Sequence, residues 1–104
     1  MEVEFRNKDL KWLYEGRRVR SKGFSSNKAL TRNFIRTVDK LIAAPDLNAL
    51  KQVRSLNLEK LTDHPHGYAS VRVDRKYRLI VELVSENNAH VTLIGIEKLT
   101  NHYQ

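Results

Sequence analysis

Apolar residues in the first half of the chain recur at the three- and four-residue spacing of amphipathic α-helices. Leu10, Leu13 and Tyr14 have this spacing and predict a short first helix. Asn7 is a suitable N-cap for this helix, and Gly16 is a suitable stop. The strongly basic segment that follows is typical of a connector between two elements.

A longer helix is predicted from Lys28 to Ala44, because Pro45 disfavours helical geometry at the residue before it. The apolar face of this helix consists of Leu30, Phe34, Val38, Leu41 and Ile42. A basic stripe on nearly the opposite side consists of Lys28, Arg32, Arg36 and Lys40. Such a stripe is either the solvated side of an amphipathic helix or a surface for a polyanion. Asp46 is placed to cap one further helical turn.

After residue 55 the apolar pattern changes from helical spacing to alternation, which is typical of β-strands. Alternation over residues 68–74 and again over 77–83 predicts a β-hairpin, and residues 90–96 predict a further strand. With a strand candidate at Val3–Phe5, the order of elements is β-α-α-β-β-β. Strands separated from helices in this way indicate an α+β fold, with two helices packed on one face of a mainly antiparallel sheet.

The alternation assigns the arginines of the hairpin to one side of the sheet. Val71 faces the helices, so Arg72 lies on the uncovered face. Arg78 and Ile80 are predicted beside it on the return strand. Two guanidiniums on neighbouring strands repel each other unless an anion joins them. The pattern therefore leaves two interpretations, a phosphate-binding surface and a weak surface pair between an arginine and Glu82.

The composition is that of a globular domain with an excess of positive charge. Of the 104 residues, 40% are hydrophobic and 30% charged, and the formal net charge is +7 with a pI of about 9.9. This excess favours polyanionic partners, which include nucleic acid, an acidic protein and an anionic membrane surface. The sequence has no cysteine, no signal-peptide layout and no apolar run long enough to span a bilayer. We therefore expect one domain over residues 1–104 in a soluble cytoplasmic protein.

Absent motifs narrow the candidate chemistry. The sequence has no GxxxxGK[ST] phosphate loop, no HExxH and no GxSxG. His64 and His66 flank Pro65, but no third ligand stands at a recognisable spacing, so we expect neither a metal nor another cofactor. The remaining arginines, lysines, histidines, tyrosines and carboxylates suit RNA cleavage through the substrate's own 2′-hydroxyl. That reaction needs only orientation, cationic stabilisation of the phosphorane and proton transfers.

Two stretches, SLNLEKL and GYASVRVDRKYRLIV, resemble the HigB-like branch of the RelE/ParE toxin superfamily, also called plasmid maintenance killer proteins. That family commonly shows Leu-Glu-x-Leu, a glycine, Ser-[IV]-Arg-[IV] and then aromatic-Arg-[IL]. The matching residues are Leu58, Glu59, Leu61, Gly67, Ser70, Val71, Arg72, Val73, Tyr77, Arg78 and Leu79. The resemblance implies a compact RelE-like fold and a type II toxin–antitoxin toxin that cleaves mRNA on the translating ribosome without metal. It also implies three partners, namely mRNA, rRNA and a cognate antitoxin, a small helix-turn-helix protein of the HigA kind.

The resemblance also assigns candidate site residues. Arg78 matches the family's active-site arginine and would hold the scissile phosphate. The family also has a site lysine in a Leu-Lys-Gly-Asp stretch. This chain reads Leu-Thr-Asp-His there, so that lysine is missing, and Lys60 or His64 is the candidate to replace it. The tail carries His102 as a general acid or base and Tyr103 as a stacking group, in the reverse of the family's order. Candidate contacts to RNA backbone are Arg17, Arg18, Arg20, Lys28, Arg32, Arg36, Arg72, Arg75 and Lys76.

Two other functions remain open from the sequence. A ParE-like toxin of the same superfamily would inhibit gyrase by binding it, without catalysis, and the missing lysine is compatible with that activity. A basic nucleic-acid-binding module without toxicity, such as a decayed toxin, is the other alternative. Expression in a bacterium separates the three functions, since mRNA cleavage, DNA damage and unimpaired growth are different outcomes.

Overall fold

The computed structural model describes residues 1–17, 19, 27–86 and 90–101. Its elements in chain order are β1 (Glu2–Phe5), α1 (Lys8–Tyr14), α2 (Lys28–Ala43), α3 (Leu47–Lys51), a 3₁₀ turn (Arg54–Leu56), β2 (Glu59–Lys60), β3 (Tyr68–Arg72), β4 (Tyr77–Ser85) and β5 (Val91–Asn101). The predicted order of a strand, helices and a group of strands is confirmed, as is the additional helical turn capped by Asp46. The pattern missed β2, which is too short to show alternation.

The five strands form one sheet in the order β1-β5-β4-β3-β2. Neighbouring strands are antiparallel except β1 and β5, which run parallel, so the sheet is mixed. The register of the parallel pair aligns Glu4 with Gly95. The predicted hairpin is the pair β3–β4, and in its turn the Asp74 carboxylate accepts from the backbone N–H groups of Lys76 and Tyr77.

Side-chain caps and a glycine define the ends of α1 and α2. Asn7 and Asn27 cap the two helices, each through a side-chain oxygen that accepts from a backbone N–H of the first turn. Gly16, with φ +79°, lies just beyond α1 in the left-handed region that favours glycine. The Tyr14 hydroxyl donates to Asp39 over 2.6 Å and joins α1 to α2.

The apolar face of α2 is buried as predicted except at its last position. Its fully buried apolar residues are Leu30, Phe34, Val38 and Leu41. Ile42, which the spacing assigns to the same face, is instead 42% exposed. One helical residue rotates by about 100°, which carries Ile42 past the edge of the buried stripe. Thr37 takes a core position, and its hydroxyl donates to the Asn33 carbonyl.

The three helices pack on one face of the sheet, and the core lies between the two layers. The sheet residues of this core, all fully buried, are Ala69, Val71, Leu79, Val81, Ile94 and Ile96. We call the opposite side of the sheet the open face. By alternation it carries Ser70, Arg72, Arg78, Ile80, Glu82 and Thr100. Among the described residues, no helix combines the length and the apolar character needed to cross a bilayer.

Candidate anion-binding site on the open face

Two arginines face each other across the hairpin on the open face. Arg72 of β3 pairs with Arg78 of β4 in the sheet register, as the alternation predicts. Arg72 is exposed, whereas Arg78 is only 6% exposed and Ile80 only 7% exposed. The predicted placement of Arg78 and Ile80 beside Arg72 on the open face is confirmed, but both side chains are buried rather than exposed to solvent.

The Arg78 guanidinium is buried because it folds across β3 onto fixed acceptors. Its Nε donates to the Ser70 hydroxyl over 2.9 Å. Its Nη2 donates to the backbone carbonyls of Ser70 and Asn57 over 3.2 and 2.6 Å. Nη1 has no hydrogen-bond partner among the described residues. Most of the group is therefore held on fixed acceptors of β3 and of Asn57.

Asn57 lies at the centre of this site, between the 3₁₀ turn and β2. Its φ of 43° and ψ of 57° fall in the left-handed region, which asparagine tolerates better than most residues. Its carbonyl accepts from Arg78, and its side-chain amide donates to the Glu59 carboxylate over 3.4 Å. Asn57 thereby joins the Arg78 guanidinium to the Glu59 carboxylate.

Burial and neighbouring charges change the affinity of Arg78 for its proton. Burial lowers the pKa of the Arg78 guanidinium, the Glu59 carboxylate raises it, and the Arg72 guanidinium lowers it, with a net decrease. Because burial and Arg72 both oppose the positive charge of Arg78, an anion bound between the two guanidiniums would be favoured. Glu59 places a carboxylate, a group able to accept a proton, beside this anion site.

Glu82, the predicted partner of a hairpin arginine, pairs instead with Arg6. The Arg6 guanidinium binds the carboxylates of Glu82 on β4, Glu97 on β5 and Glu4 on β1, which together raise its pKa. The guanidinium lies over Gly95, where an added Cβ would collide with it. Among the described residues, the hairpin arginines thus have no ion pair with Glu82.

The open face is consequently divided into a basic half and an acidic half. One row across the strands consists of Tyr68, Glu82, Gly95 and Glu4. The row of Arg72, Arg78 and Thr100 lies four residues away along β4, a distance of about 13 Å. A β-bulge in β5 leaves Glu97 without a partner in the register and adds its carboxylate to the acidic half. A polyanion that binds the open face is thereby restricted to the basic half.

Lys60 is not brought together with Arg78. Lys60 pairs with Ala69, whose side chain is in the core, whereas Glu59 pairs with Ser70 on the open face. Lys60 therefore points to the helix side of the sheet. It lines a pocket of about 420 Å³ at the sheet margin, together with Leu47, Leu61, Thr62, His66, Gly67, Tyr68, Leu83, Ser85 and Val91.

The other predicted RNA contacts fall on two sides of the molecule. Arg75 and Lys76 are exposed in the hairpin turn next to Arg72. The exposed residues on the outer side of α2 are Lys28, Arg32 and Arg36. Arg17 is exposed beyond α1, with its guanidinium 4.7 Å from the centre of the Trp12 ring.

Four predicted site residues, Arg18, Arg20, His102 and Tyr103, lie outside the described residues.

The strand predicted at residues 90–96 extends further than its apolar pattern, because β5 continues to Asn101. Asn101 pairs with Tyr77, the residue before Arg78. The end of β5 is therefore next to the anion-binding site.

The loop between β2 and β3 carries the predicted histidine pair. His64 Nδ1 lies 2.9 Å from the Asp63 carboxylate, and the His64 ring packs against the Tyr68 ring with centroids 6.0 Å apart. The Tyr68 hydroxyl donates to Glu97 over 3.1 Å, and this hydrogen bond raises the pKa of Tyr68. Within the described ranges, no three histidine, aspartate or glutamate side chains converge as they would around a metal ion.

Sequence reasoning missed Asn57 and identified Glu59 only as part of a motif. The one signal for Asn57 was its residue type, because asparagine adopts positive φ more readily than other non-glycine residues. No signal in the sequence indicates that its carbonyl would meet a guanidinium from β4.

No protein-family model matches the chain, and no curated protein sequence matches it. Among solved structures, the chain is similar to a YoeB/ParE toxin from Agrobacterium tumefaciens. The two share 16% sequence identity, and the match covers 99% of this chain and 100% of that one with a TM-score of 0.55. At this identity the likeness concerns the fold alone, and the chain shares the α+β fold of that toxin.

Proposed function

We propose that this protein is the toxin of a type II toxin–antitoxin system and acts as a ribosome-dependent, metal-independent endoribonuclease. The fold supports the toxin assignment, but it does not distinguish a nuclease from a toxin with another activity, because one fold hosts many functions. The observation that carries the nuclease assignment is the cluster of Arg72, Arg78, Asn57 and Glu59, which sets an anion site beside a carboxylate. The HigB-like motif around Arg72 and Arg78 favours this activity over others of the same fold.

In the proposed reaction the 2′-oxygen of the substrate attacks the adjacent phosphorus. Arg78 Nη1 and the Arg72 guanidinium bind the non-bridging oxygens and stabilise the charge of the phosphorane. Glu59, the carboxylate beside Arg78, takes the proton of the 2′-hydroxyl. The 2′-O–P bond forms as the P–O5′ bond breaks, and the leaving 5′-oxygen takes a proton from His102, the proposed acid of the tail. The products are a 2′,3′-cyclic phosphate and a free 5′-hydroxyl.

The tail and the basic surfaces have supporting roles in this proposal. His102 supplies an acid–base group and Tyr103 a stacking group near the end of β5. Lys60 neutralises RNA backbone at the sheet margin rather than the scissile phosphate, because it points away from Arg78. The proposed contacts to mRNA and rRNA backbone are Arg17, Arg18, Arg20, Lys28, Arg32, Arg36, Arg72, Arg75 and Lys76. The proposed partner in the bacterial cytoplasm is a small HigA-like antitoxin.

The nuclease proposal is tested by primer extension on a reporter mRNA after induction of the wild type, Arg78→Lys and Glu59→Gln. Glu59→Gln keeps the acceptor for Asn57 but removes the base, so cleavage should fall by about 10²-fold or more. Arg78→Lys keeps the charge but loses the planar set of donors, so it should also cleave poorly. The exposed Arg54→Lys and Glu2→Gln are matched controls and should cleave like the wild type.

Two results would contradict this proposal. Absence of new 5′ ends with the wild type would exclude the nuclease. Wild-type cleavage by both Arg78→Lys and Glu59→Gln would retain the nuclease but remove the cluster from its mechanism. A matching assay with purified mRNA, with and without ribosomes, tests the ribosome dependence separately.

Inhibition of gyrase is the second candidate function. The name of the similar toxin includes ParE, and a ParE-like toxin would bind gyrase without catalysis. That activity predicts DNA damage and filamentation after induction, without new mRNA ends, and insensitivity to Glu59→Gln. Unimpaired growth after induction would instead favour a basic binding module without toxicity.

A further inference from the structure

A β-bulge in β5 interrupts the alternation of side chains between the two faces of the sheet. The β4 residues Ile80 and Val81 are consecutive, but their partners on β5 are Lys98 and Ile96. Glu97 is therefore the extra residue of the bulge. Bulges occur often beside active sites, where they change the direction of a side chain. We therefore asked which side chain this bulge redirects.

The bulge places a lysine on the open face directly after a glutamate on the same face. Lys98 lies opposite Ile80, an open-face residue, and the next residue, Leu99, lies opposite the buried Leu79 and packs against the core. Lys98 therefore belongs to the open face. Regular alternation would put Lys98 and Glu97 on opposite faces, whereas the bulge gives both to the open face.

Lys98 lies at the border between the basic and acidic halves of the open face. Its partner Ile80 is two residues from Arg78 and two residues from Glu82 along β4, a distance of about 7 Å in each direction. Lys98 is also a diagonal neighbour of Arg78 on the adjacent strand, a relation that spans about 7 to 8 Å. The long, flexible lysine side chain can cover this distance.

The charge of Lys98 is not compensated by the neighbouring acidic half. Lys98 is exposed, and within the described part of the chain it forms no ion pair. The carboxylates of Glu82 and Glu97 bind Arg6 instead. An unpaired cation that a bulge places beside an anion-binding site favours an anionic ligand there.

Lys98 and the Arg78 guanidinium lie on opposite sides of β4. The guanidinium folds across β3 onto Ser70 and the Asn57 carbonyl, away from β5. Lys98 belongs to β5, on the other side of Arg78. An RNA strand that crosses the basic half from β3 to β5 would therefore meet these two cations one after the other, at different phosphates.

We propose that Lys98 binds the phosphate next to the scissile phosphate and thereby sets the position of the RNA strand at Arg78. This inference rests on the proposed nuclease function and adds a substrate-binding residue that does not touch the reacting atoms. A contact with a phosphate that does not react is equally strong in the ground state and the transition state, so it lowers KM and leaves kcat unchanged. Beyond Lys98, the carboxylates of Glu82 and Glu97 repel further phosphates.

The first test measures cleavage of a synthetic mRNA on programmed ribosomes. Lys98→Gln removes the charge and keeps most of the aliphatic stem, so at low salt it should raise KM for the programmed ribosome about three- to fivefold with kcat unchanged. Lys98→Arg should restore the wild-type KM. Arg78→Lys should instead lower kcat, because Arg78 acts on the scissile phosphate. Lys51→Gln, at an exposed position of α3, is the matched control and should cleave like the wild type.

Neutral methylphosphonate linkages identify the phosphate that Lys98 binds. One such linkage replaces, in turn, each of the two phosphates that flank the scissile phosphate. With the wild type, one of the two replacements should raise KM by about the same three- to fivefold factor. With Lys98→Gln, that replacement should have no further effect, because the cation that it would deprive of a partner is already absent. Lys51→Gln should respond to both replacements like the wild type.

The proposal is overturned if Lys98→Gln leaves KM unchanged, lowers kcat, or remains as sensitive as the wild type to both methylphosphonates. If the wild type cleaves no mRNA, the nuclease function itself fails, and the phosphate contact is then decided by binding alone. On a short single-stranded RNA, Lys98→Gln should flatten the plot of log affinity against log salt by about 0.7, as expected for one phosphate contact. An unchanged plot would overturn the contact as well.

Discussion

At the scale of single residues, Arg6 and Gly95 form one packing unit in the acidic half of the open face. The Arg6 guanidinium lies over the backbone of Gly95, held there by Glu4, Glu82 and Glu97. The positive-φ glycines of the described chain are Gly16 and Gly67, so the backbone conformation at Gly95 does not require glycine. The arginine requires it, because any Cβ there would displace the guanidinium.

This geometry predicts that Arg6 and Gly95 are energetically coupled. Gly95→Ala should lower the free energy of unfolding by roughly 1 kcal/mol, because it breaks partly exposed ion pairs. In an Arg6→Ala background the same change should be neutral or stabilising, since alanine in a strand loses less conformational entropy than glycine. Urea unfolding of the four proteins measures the coupling. An equal effect of Gly95→Ala in both backgrounds would contradict it.

The chemistry of single residues was only partly predictable from the sequence. Alternation placed Arg72 and Arg78 side by side correctly, because the period of a strand is set by its own backbone. It could not predict that Arg78 is buried, since this depends on a carbonyl of Asn57 that the chain brings in from 21 positions away. Side-chain direction is local information, whereas burial is decided by tertiary contacts.

At the scale of elements, α1 depends on its contacts with the rest of the molecule. It has seven residues and is too short to be stable alone. Leu10 and Leu13 anchor it in the core. Tyr14 adds a ring contact with Phe5 at 5.5 Å and the hydrogen bond to Asp39 of α2. The hydrogen bond thus joins α1 to α2.

Because of the Tyr14–Asp39 hydrogen bond, the difference in free energy of unfolding between the wild type and Tyr14→Phe should depend on pH. The hydrogen bond to Asp39 raises the pKa of Tyr14, so the folded protein holds the phenolic proton more tightly than the unfolded chain. The resulting stability is fully present below the ordinary tyrosine pKa near 10 and is lost as pH rises through the raised value. Tyr14→Phe should therefore cost at most about 1 kcal/mol at neutral pH, because the pair is partly exposed.

Urea unfolding of the wild type and Tyr14→Phe at neutral and alkaline pH measures this difference. It should shrink as pH rises above the ordinary tyrosine pKa. The Asp39→Asn background is the control, in which Tyr14→Phe should have a smaller effect with a weaker dependence on pH. A difference that stays constant across the alkaline range would show that Tyr14 acts through ring packing alone.

The elements themselves were predictable to the extent that their signals are local. Periodicity and caps indicated α1, α2 and the hairpin, because these depend on residues within a few positions of each other. The pairing of β1 with β5 was not predictable, since it joins strands at the two ends of the chain. Strand β2 was missed for the related reason that its two residues are defined only by their pairing with β3.

At the scale of the whole molecule, positive charge is exposed on two opposite sides. The helix side carries the stripe of α2, which consists of Lys28, Arg32, Arg36 and Lys40. The sheet side carries Arg72, Arg75 and Lys76 around the hairpin turn. The core and the sheet separate the two surfaces, so under the proposed function a short single-stranded RNA bound at Arg78 would contact only the sheet side. A ribosome, in which rRNA surrounds the mRNA, offers polyanion to both sides at once.

This separation predicts different salt dependences for the two surfaces. On a short single-stranded RNA, Arg75→Ala with Lys76→Ala should flatten the plot of log affinity against log salt by about 0.7 for each phosphate that the variant no longer neutralises. Arg32→Ala with Arg36→Ala should leave that plot unchanged, because α2 lies on the other side. On ribosomes both double variants should flatten the plot. The control is the double variant Lys51→Ala with Arg54→Ala, at exposed positions, which should leave the plots for the short RNA and for ribosomes unchanged. If the α2 pair flattens the plot on the short RNA as strongly as the hairpin pair, the strand is not confined to the sheet side.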